Sequence, residues 1–105
     1  MTIIQVNDKK ITLDEDGYLR DFTQWFPEVA EALANREGIA ELSAEHLEVI
    51  HFIRGYYERH RVAPMVHFVS KETGKSFREL HRLFSKQPGK RAAKLAGLPR
   101  ATGCS

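Results

Sequence analysis

Ser43-Ala-Glu-His-Leu-Glu-Val-Ile-His-Phe-Ile-Arg-Gly-Tyr-Tyr-Glu-Arg-His60 is the stretch that decides the fold class. Ser43 has the hydroxyl that accepts a backbone N–H at a helix start, and Glu45 falls in the positive first turn. Arg59, His60 and Arg61 suit the negative end. Between them, Leu47, Val49, Ile50, Phe52, Ile53, Tyr56 and Tyr57 fill more than one narrow stripe. A helix apolar over that much of its circumference is covered by neighbours on several sides. The expectation is a mainly helical protein with this helix at its centre.

Reading outward toward the C-terminus, Val62-Ala63-Pro64 leads into a helix from Met65 to about Thr73, stopped by Gly74. Ser76-Phe-Arg-Glu79 has the form of a capping box, and Phe77, Leu80, Leu83 and Phe84 mark the inner face of the helix it opens. Pro88-Gly89 breaks that helix, and a last short one runs from Lys90, or Gly89, to about Ala96. Toward the N-terminus, Pro27 suits a first helical position, and Val29, Leu33 and the alanines around them keep helical spacing up to Gly38. Asp21 or Thr23 caps a turn before it; Trp25 and Phe26 are expected in the core. Thr2-Ile-Ile-Gln-Val6 and Lys10-Ile-Thr-Leu13 are β-branched runs around Asn7-Asp8-Lys9, the pattern of a hairpin. Tyr18, Leu19 and Phe22 are expected to pin the hairpin to the helices. The fold expected is mainly α (α+β): a small orthogonal helical bundle with an N-terminal two-stranded β-hairpin at about 2–13, helices within about 23–85 and 89–96, and a flexible C-terminal arm over 97–105.

At 105 residues, with 42% hydrophobic and 29% charged content, the composition is that of one ordinary globular domain over 1–105. No run approaches the roughly 18 apolar residues of a membrane span, and the N-terminus lacks a signal-peptide pattern. One cysteine fits a reducing compartment better than a disulfide scaffold, so a cytoplasmic protein is expected. The overall charge of +2 hides an asymmetry: residues 1–85 sum to −3 and the remainder to +5. The basic residues of that tail are Lys86, Lys90, Arg91, Lys94 and Arg100, with no carboxylate among them.

The tail also carries the only cysteine, Cys104, one residue from the end. Gly97 and Pro99 forbid a continuing helix, and Gly103 leaves room beside the sulfur. The thiol cannot pair within its own chain. It is a reactive group on a tether, or a chance feature of a tolerant terminus. Thiolate is the nucleophilic form, and neighbouring cations favour it.

Other chemistries find less support. His46 and His51 are roughly 140° apart around a helix, there is no His-Glu-x-x-His, and one thiol builds no zinc site. No metal and no cofactor is expected. There is no nucleophile elbow and no phosphate-binding loop. The helix pair from Pro64 to about Ser85 has a helix-turn-helix outline, with Lys71, Lys75, Arg78 and Arg82 nearby. Glu72 and Glu79 interrupt that patch. DNA binding is the alternative from another class, and it is separated from thiol chemistry by whether binding survives Cys104→Ser.

Leu95-Ala-Gly-Leu-Pro-Arg-Ala-Thr-Gly-Cys104 resembles the C-terminal arm of the DsrC/TusE family of sulfur carriers. The likeness extends to Leu13-Asp-Glu-Asp-Gly-Tyr-Leu19, Val29-Ala-Glu-Ala-Leu-Ala34, Glu37-Gly-Ile39, His46-Leu-Glu-Val-Ile50, Tyr56-Tyr57, Ala63-Pro64 and Pro88-Gly-Lys90. The resemblance implies a sulfurtransferase of the single-cysteine, TusE-like branch, carrying a persulfide on Cys104 without a prosthetic group. It implies a TusBCD-like (DsrEFH-like) complex as donor and a tRNA thiouridylase with its tRNA as acceptor, for 2-thiouridine at the wobble position, with no membrane involved. Gly97, Pro99 and Gly103 become the hinges of the arm. Arg100 and Lys94 become stabilisers of the thiolate, and Lys90 and Arg91 complete a docking surface. In members that work with dissimilatory sulfite reductase, a second arm cysteine pairs with the penultimate one. Its place here is Ala93, so this chain lacks that step, although a role as partner of a sulfite-reductase or sulfur-oxidation complex stays open. Two departures stand out: Ala101 replaces a proline common in the arm, and Ser105 replaces a small apolar end.

Overall fold

A computed structural model describes residues 2–99; Arg100, Gly103 and Cys104, and with them most of the expected arm, lie outside the described residues. Two strands, β1 (Thr2–Val6) and β2 (Lys9–Leu13), form an antiparallel hairpin with Thr2 opposite Leu13 and Val6 opposite Lys9. The connection is a two-residue turn, with Asn7 and Asp8 both left-handed at φ 51° and 68°. That geometry matches the twist of paired strands, and Asn and Asp tolerate it best after glycine. One Asp14 carboxylate oxygen accepts the N–H groups of Asp16 and Tyr18, each at 2.9 Å, folding the exit loop back. Val6, Ile11, Leu13, Tyr18 and Leu19 are thereby buried against the helices. The pinning expected of Tyr18 and Leu19 is present.

Among the described residues five α-helices follow: α1 (Pro27–Arg36), α2 (Ala44–His60), α3 (Val66–Thr73), α4 (Phe77–Phe84) and α5 (Pro88–Leu95). Their ends follow local chemistry. Ser43 and Ser76 cap α2 and α4, and Gly74 ends α3 in the left-handed conformation. At Ser43 the returning partner is His46, not an acid: Nδ1 accepts the Ser43 N–H at 3.0 Å while Nε2 lies 2.7 Å from the Leu83 carbonyl. His46 ties the start of α2 to the end of α4.

Two expectations are corrected here. Pro88 does not merely break a helix; it occupies the first helical position of α5, where its missing N–H costs nothing. Phe77 is 53% exposed instead of facing inward, because as the first residue of α4 it precedes the face carried by Leu80, Leu83 and Phe84. A further finding concerns the centre. α2 buries Val49, Ile50 and Ile53 and packs on α3, α4 and α5, yet α5 is the element that touches all four other helices. Its inner face is small, with Ala92, Leu95 and Ala96 buried, so several helices approach it closely.

Two acidic caps carry a pH signature. The Thr23 hydroxyl, then its N–H, hold the Asp21 carboxyl below the ordinary range, and the Ser76 N–H does the same for Glu79. With folded values below unfolded ones, the unfolded chain binds more protons in the acid window. The stabilisation is present above the ordinary carboxylate range and is lost as pH falls through it. Asp21→Asn with Glu79→Gln keeps the acceptors but removes the titration. Its melting temperature is expected to fall less steeply than that of the wild type between neutral pH and about pH 3; parallel curves would exclude these caps as the cause.

Candidate functional site

The described part of the site is the root of the cysteine-bearing tail. A helix ends with four backbone carbonyls that no helical N–H reaches. In α5 these belong to Ala93, Lys94, Leu95 and Ala96, and each has a donor. The Leu98 N–H reaches the Ala93 carbonyl at 3.2 Å and the Gly97 N–H reaches that of Lys94 at 3.1 Å. This is a Schellman closure with Gly97 left-handed at φ 81°. The Trp25 indole Nε1–H donates to the Leu95 carbonyl at 2.8 Å, and Arg54 Nη1 donates to that of Ala96 at 2.8 Å. The Arg54 guanidinium is itself held between two rings, 3.9 Å from the centre of Phe22 and 4.3 Å from that of Trp25.

This geometry corrects the expected start of the arm. Gly97 and Leu98 are buried, Leu98 at 2% exposure, and the first exposed residue is Pro99. In a Schellman closure the residue after the left-handed glycine packs back on the last turn, which is the position Leu98 holds. Gly97 has a second constraint besides φ. A Cβ there would sit 2.8 Å from Trp25 Cδ1 and 3.0 Å from Leu19 Cδ2. Gly97 is therefore packed into the helix end, where a side chain has no room.

The basic residues divide. Lys94 Nζ lies 2.7 Å from Glu37 Oε2 and 5.0 Å from the centre of the Tyr18 ring, and Arg91 Nε lies 3.4 Å from Glu37 Oε1. Glu37 follows the last residue of α1, where the left-handed Gly38 and the Ile39 N–H to Ala34 carbonyl bond close the helix and hold it. The tail has no carboxylate in its own sequence, but α1 supplies one in space. Lys86 and Lys90 are exposed and make no ion pair among the described residues. They stand with Arg91, Lys94, Ala93, Pro99, Pro64 and Val66 around an open groove of about 930 Å³. Ala93, the position read as a missing cysteine, lines this groove beside the point where the tail departs.

Of the four basic residues of the helix-turn-helix outline, Lys71 and Arg78 are exposed and the other two are paired with carboxylates. Lys75 is buried against Glu48 at 3.1 Å and Arg82 pairs with Glu45 at 3.4 Å. No group of three or more metal-ligating side chains occurs among the described residues, and no helix there is long and apolar enough to cross a membrane.

The family model described as "DsrC like protein" matches residues 5–105. The chain belongs to the DsrC-like family. Its relatives within that family carry two kinds of name. It is 42% identical over 104 residues to the dissimilatory-type sulfite reductase subunit gamma of Nitratidesulfovibrio vulgaris, with 99% of both chains covered. It is 44% identical over 103 residues to sulfurtransferase TusE of Salmonella choleraesuis, covering 91% of this chain and 94% of that one. Among solved structures, dissimilatory sulfite reductase I (DsrI) superposes with a TM-score of 0.90 at 40% identity, covering 99% of this chain and all of that one. The oxidised gamma subunit (DsrC) from Archaeoglobus fulgidus gives 0.88 at 37% identity, with 99% and 100% covered. The hairpin-plus-helices architecture of this DsrC-like chain is thus shared with the solved structures named for dissimilatory sulfite reductase.

The split among the lysines is measurable. Lys94→Met leaves Glu37 with one partner in a half-buried place and is expected to cost about 1–3 kcal/mol in urea unfolding. Lys90→Met, at an exposed position, is expected to stay within about 0.5 kcal/mol. Equal losses would contradict the pairing described here.

Proposed function

We propose that this protein is a cytoplasmic sulfur-relay carrier that receives sulfane sulfur on Cys104 and hands it to an acceptor enzyme. The observation that carries the reading is the single thiol at the penultimate position of a chain whose full-length relatives include sulfurtransferases named TusE. In the loading step the Cys104 thiolate attacks the outer sulfur of a donor persulfide. A new S–S bond forms to Cys104, the old one breaks, and the donor leaves as thiolate, with no net oxidation. The second step repeats the exchange toward the acceptor. The donor in this reading is a TusBCD-like (DsrEFH-like) complex, and the acceptor a thiouridylase that makes 2-thiouridine at the wobble position of tRNA.

Arg100 is the tail cation nearest in sequence to the thiol. Lys86 and Lys90, free of ion pairs among the described residues, are the groups available to a docking partner's acidic surface. Arg91 and Lys94 serve the same electrostatic field while paired to Glu37, which reduces both the docking charge expected of Arg91 and the thiolate stabilisation expected of Lys94. A second reading, partner of a dissimilatory sulfite reductase, is favoured by the 42% identity to the gamma subunit over nearly the whole of both chains. Against it, Ala93 leaves Cys104 without a cysteine in its own chain to form a disulfide. The DNA-binding alternative is weakened by the pairing of Lys75 and Arg82 with carboxylates of α2.

Incubated with a cysteine desulfurase, its relay proteins and cysteine, the protein is expected to gain the mass of one sulfur atom on Cys104. Cys104→Ser is expected to abolish loading and tRNA 2-thiolation while changing stability by no more than about 0.5 kcal/mol. High salt is expected to slow transfer by screening the docking charges. Normal tRNA 2-thiolation in cells that carry only the serine variant would end the tRNA reading. Sulfur uptake that persists in that variant would remove Cys104 as the carrier.

A further inference from the structure

The four carbonyls that end α5 do not need equal effort to satisfy. Two are closed locally by the Gly97 and Leu98 N–H groups, and water commonly serves the rest at an exposed helix end. Here the remaining two are taken by side chains from distant elements. Trp25 comes from the segment before α1 and Arg54 from the middle of α2, 70 and 42 residues away in sequence. The Arg54 charge is partly desolvated to do this; burial lowers its pKa, and Glu58 one turn on offsets part of the loss. Stacking between Phe22 and Trp25 leaves the guanidinium little freedom, so it points at one carbonyl only. The chain then passes over this clamp at Gly97 with no room for a side chain, since a Cβ would lie 2.8 Å from Trp25 and 3.2 Å from Arg54 Nη1.

The consequence is geometric. Leu98 is fixed in the core and Pro99 is the first exposed residue. Cys104 lies six residues beyond Leu98, so its reach from a fixed point is at most about 22 Å at 3.3–3.6 Å per residue. A seat that slips would spread the same thiol over a larger volume and lower its local concentration at a docked partner's sulfur.

We propose that Trp25 and Arg54 are positioning residues for sulfur transfer: by clamping the Leu95 and Ala96 carbonyls they seat the root of the thiol-bearing tail, so that exchange with a docked protein depends on them while the thiol's own reactivity does not. The proposal rests on the carrier reading of Cys104.

The test compares Trp25→Phe, Arg54→Gln and Gly97→Ala with the wild type in three measurements. These are single-turnover sulfur uptake from a persulfidated TusBCD-type complex, alkylation of Cys104 by iodoacetamide, and hydrogen exchange of the Leu98 amide. The variants are expected to exchange Leu98 faster and to take up protein-borne sulfur about tenfold more slowly. Alkylation by the small reagent is expected to stay within about twofold of the wild-type rate. Trp25→Phe keeps a ring and deletes one donor, so it carries the comparison if Arg54→Gln or Gly97→Ala fails to fold. Unchanged uptake in a variant whose Leu98 amide exchanges faster would overturn the inference. So would a parallel fall in alkylation, which would place the effect on the thiol itself. Wild-type protein that alkylates normally but takes up no sulfur would sink the carrier reading beneath it, and leave the clamp as a helix cap.

Discussion

The described root of the cysteine-bearing tail depends on how α5 is closed. A helix of eight residues has nearly as many unpaired carbonyls as paired ones, and on its own it would fray. Here its last turn accepts bonds from its own following residues and from two other segments, and its inner face packs against α1, α2, α3 and α4. The same contacts explain why a short, alanine-rich helix can sit at the centre. Small side chains let four neighbours come close, and the side-chain donors supply the directional part of the binding that alanine cannot.

Charge is organised around the same helix. The tail's excess of cations and the body's excess of anions meet at Glu37, which closes α1 at the end where a carboxylate is disfavoured by the helix dipole. Lys94 and Arg91 offset that cost, and Glu37 in turn orders the first and last turns of α5. Two kinds of basic residue result, one structural and one available. Within the DsrC-like family, relatives named for sulfite reduction and for sulfur transfer are about equally similar to this chain in sequence.

Much of the fold was legible because it is set by neighbours in sequence. Ser43 and Ser76 as caps, Gly38 and Gly74 as stops, and Asn7-Asp8 as a turn all act within four residues. What escaped the sequence acts over longer separations. Nothing in the spacing of α2 marks Arg54 as the donor to Ala96, since an arginine among apolar residues reads as a solvated position. Trp25 was legible as packing and illegible as a hydrogen-bond donor. Leu98 is hard to place from sequence because Gly97 and Pro99 on either side of it carry the pattern of breakers that release the chain. A glycine followed by an apolar residue after a helix is equally a Schellman signal, and that signal was available. The carbon skeleton of the site was therefore only partly readable, while the position of the thiol itself needed no structure.

Trp25 is also the only tryptophan in the chain. Its ring is half-buried, bonded to the last turn of α5, and meets His51 edge-on at 5.8 Å between ring centres. Indole emission responds to hydrogen bonding, solvent access and nearby polar rings. The protein thus carries a built-in optical probe at the root of its cysteine-bearing tail, unmixed with signal from any second indole. A partner that pulled on that tail would be seen as a change of colour before any sulfur had moved.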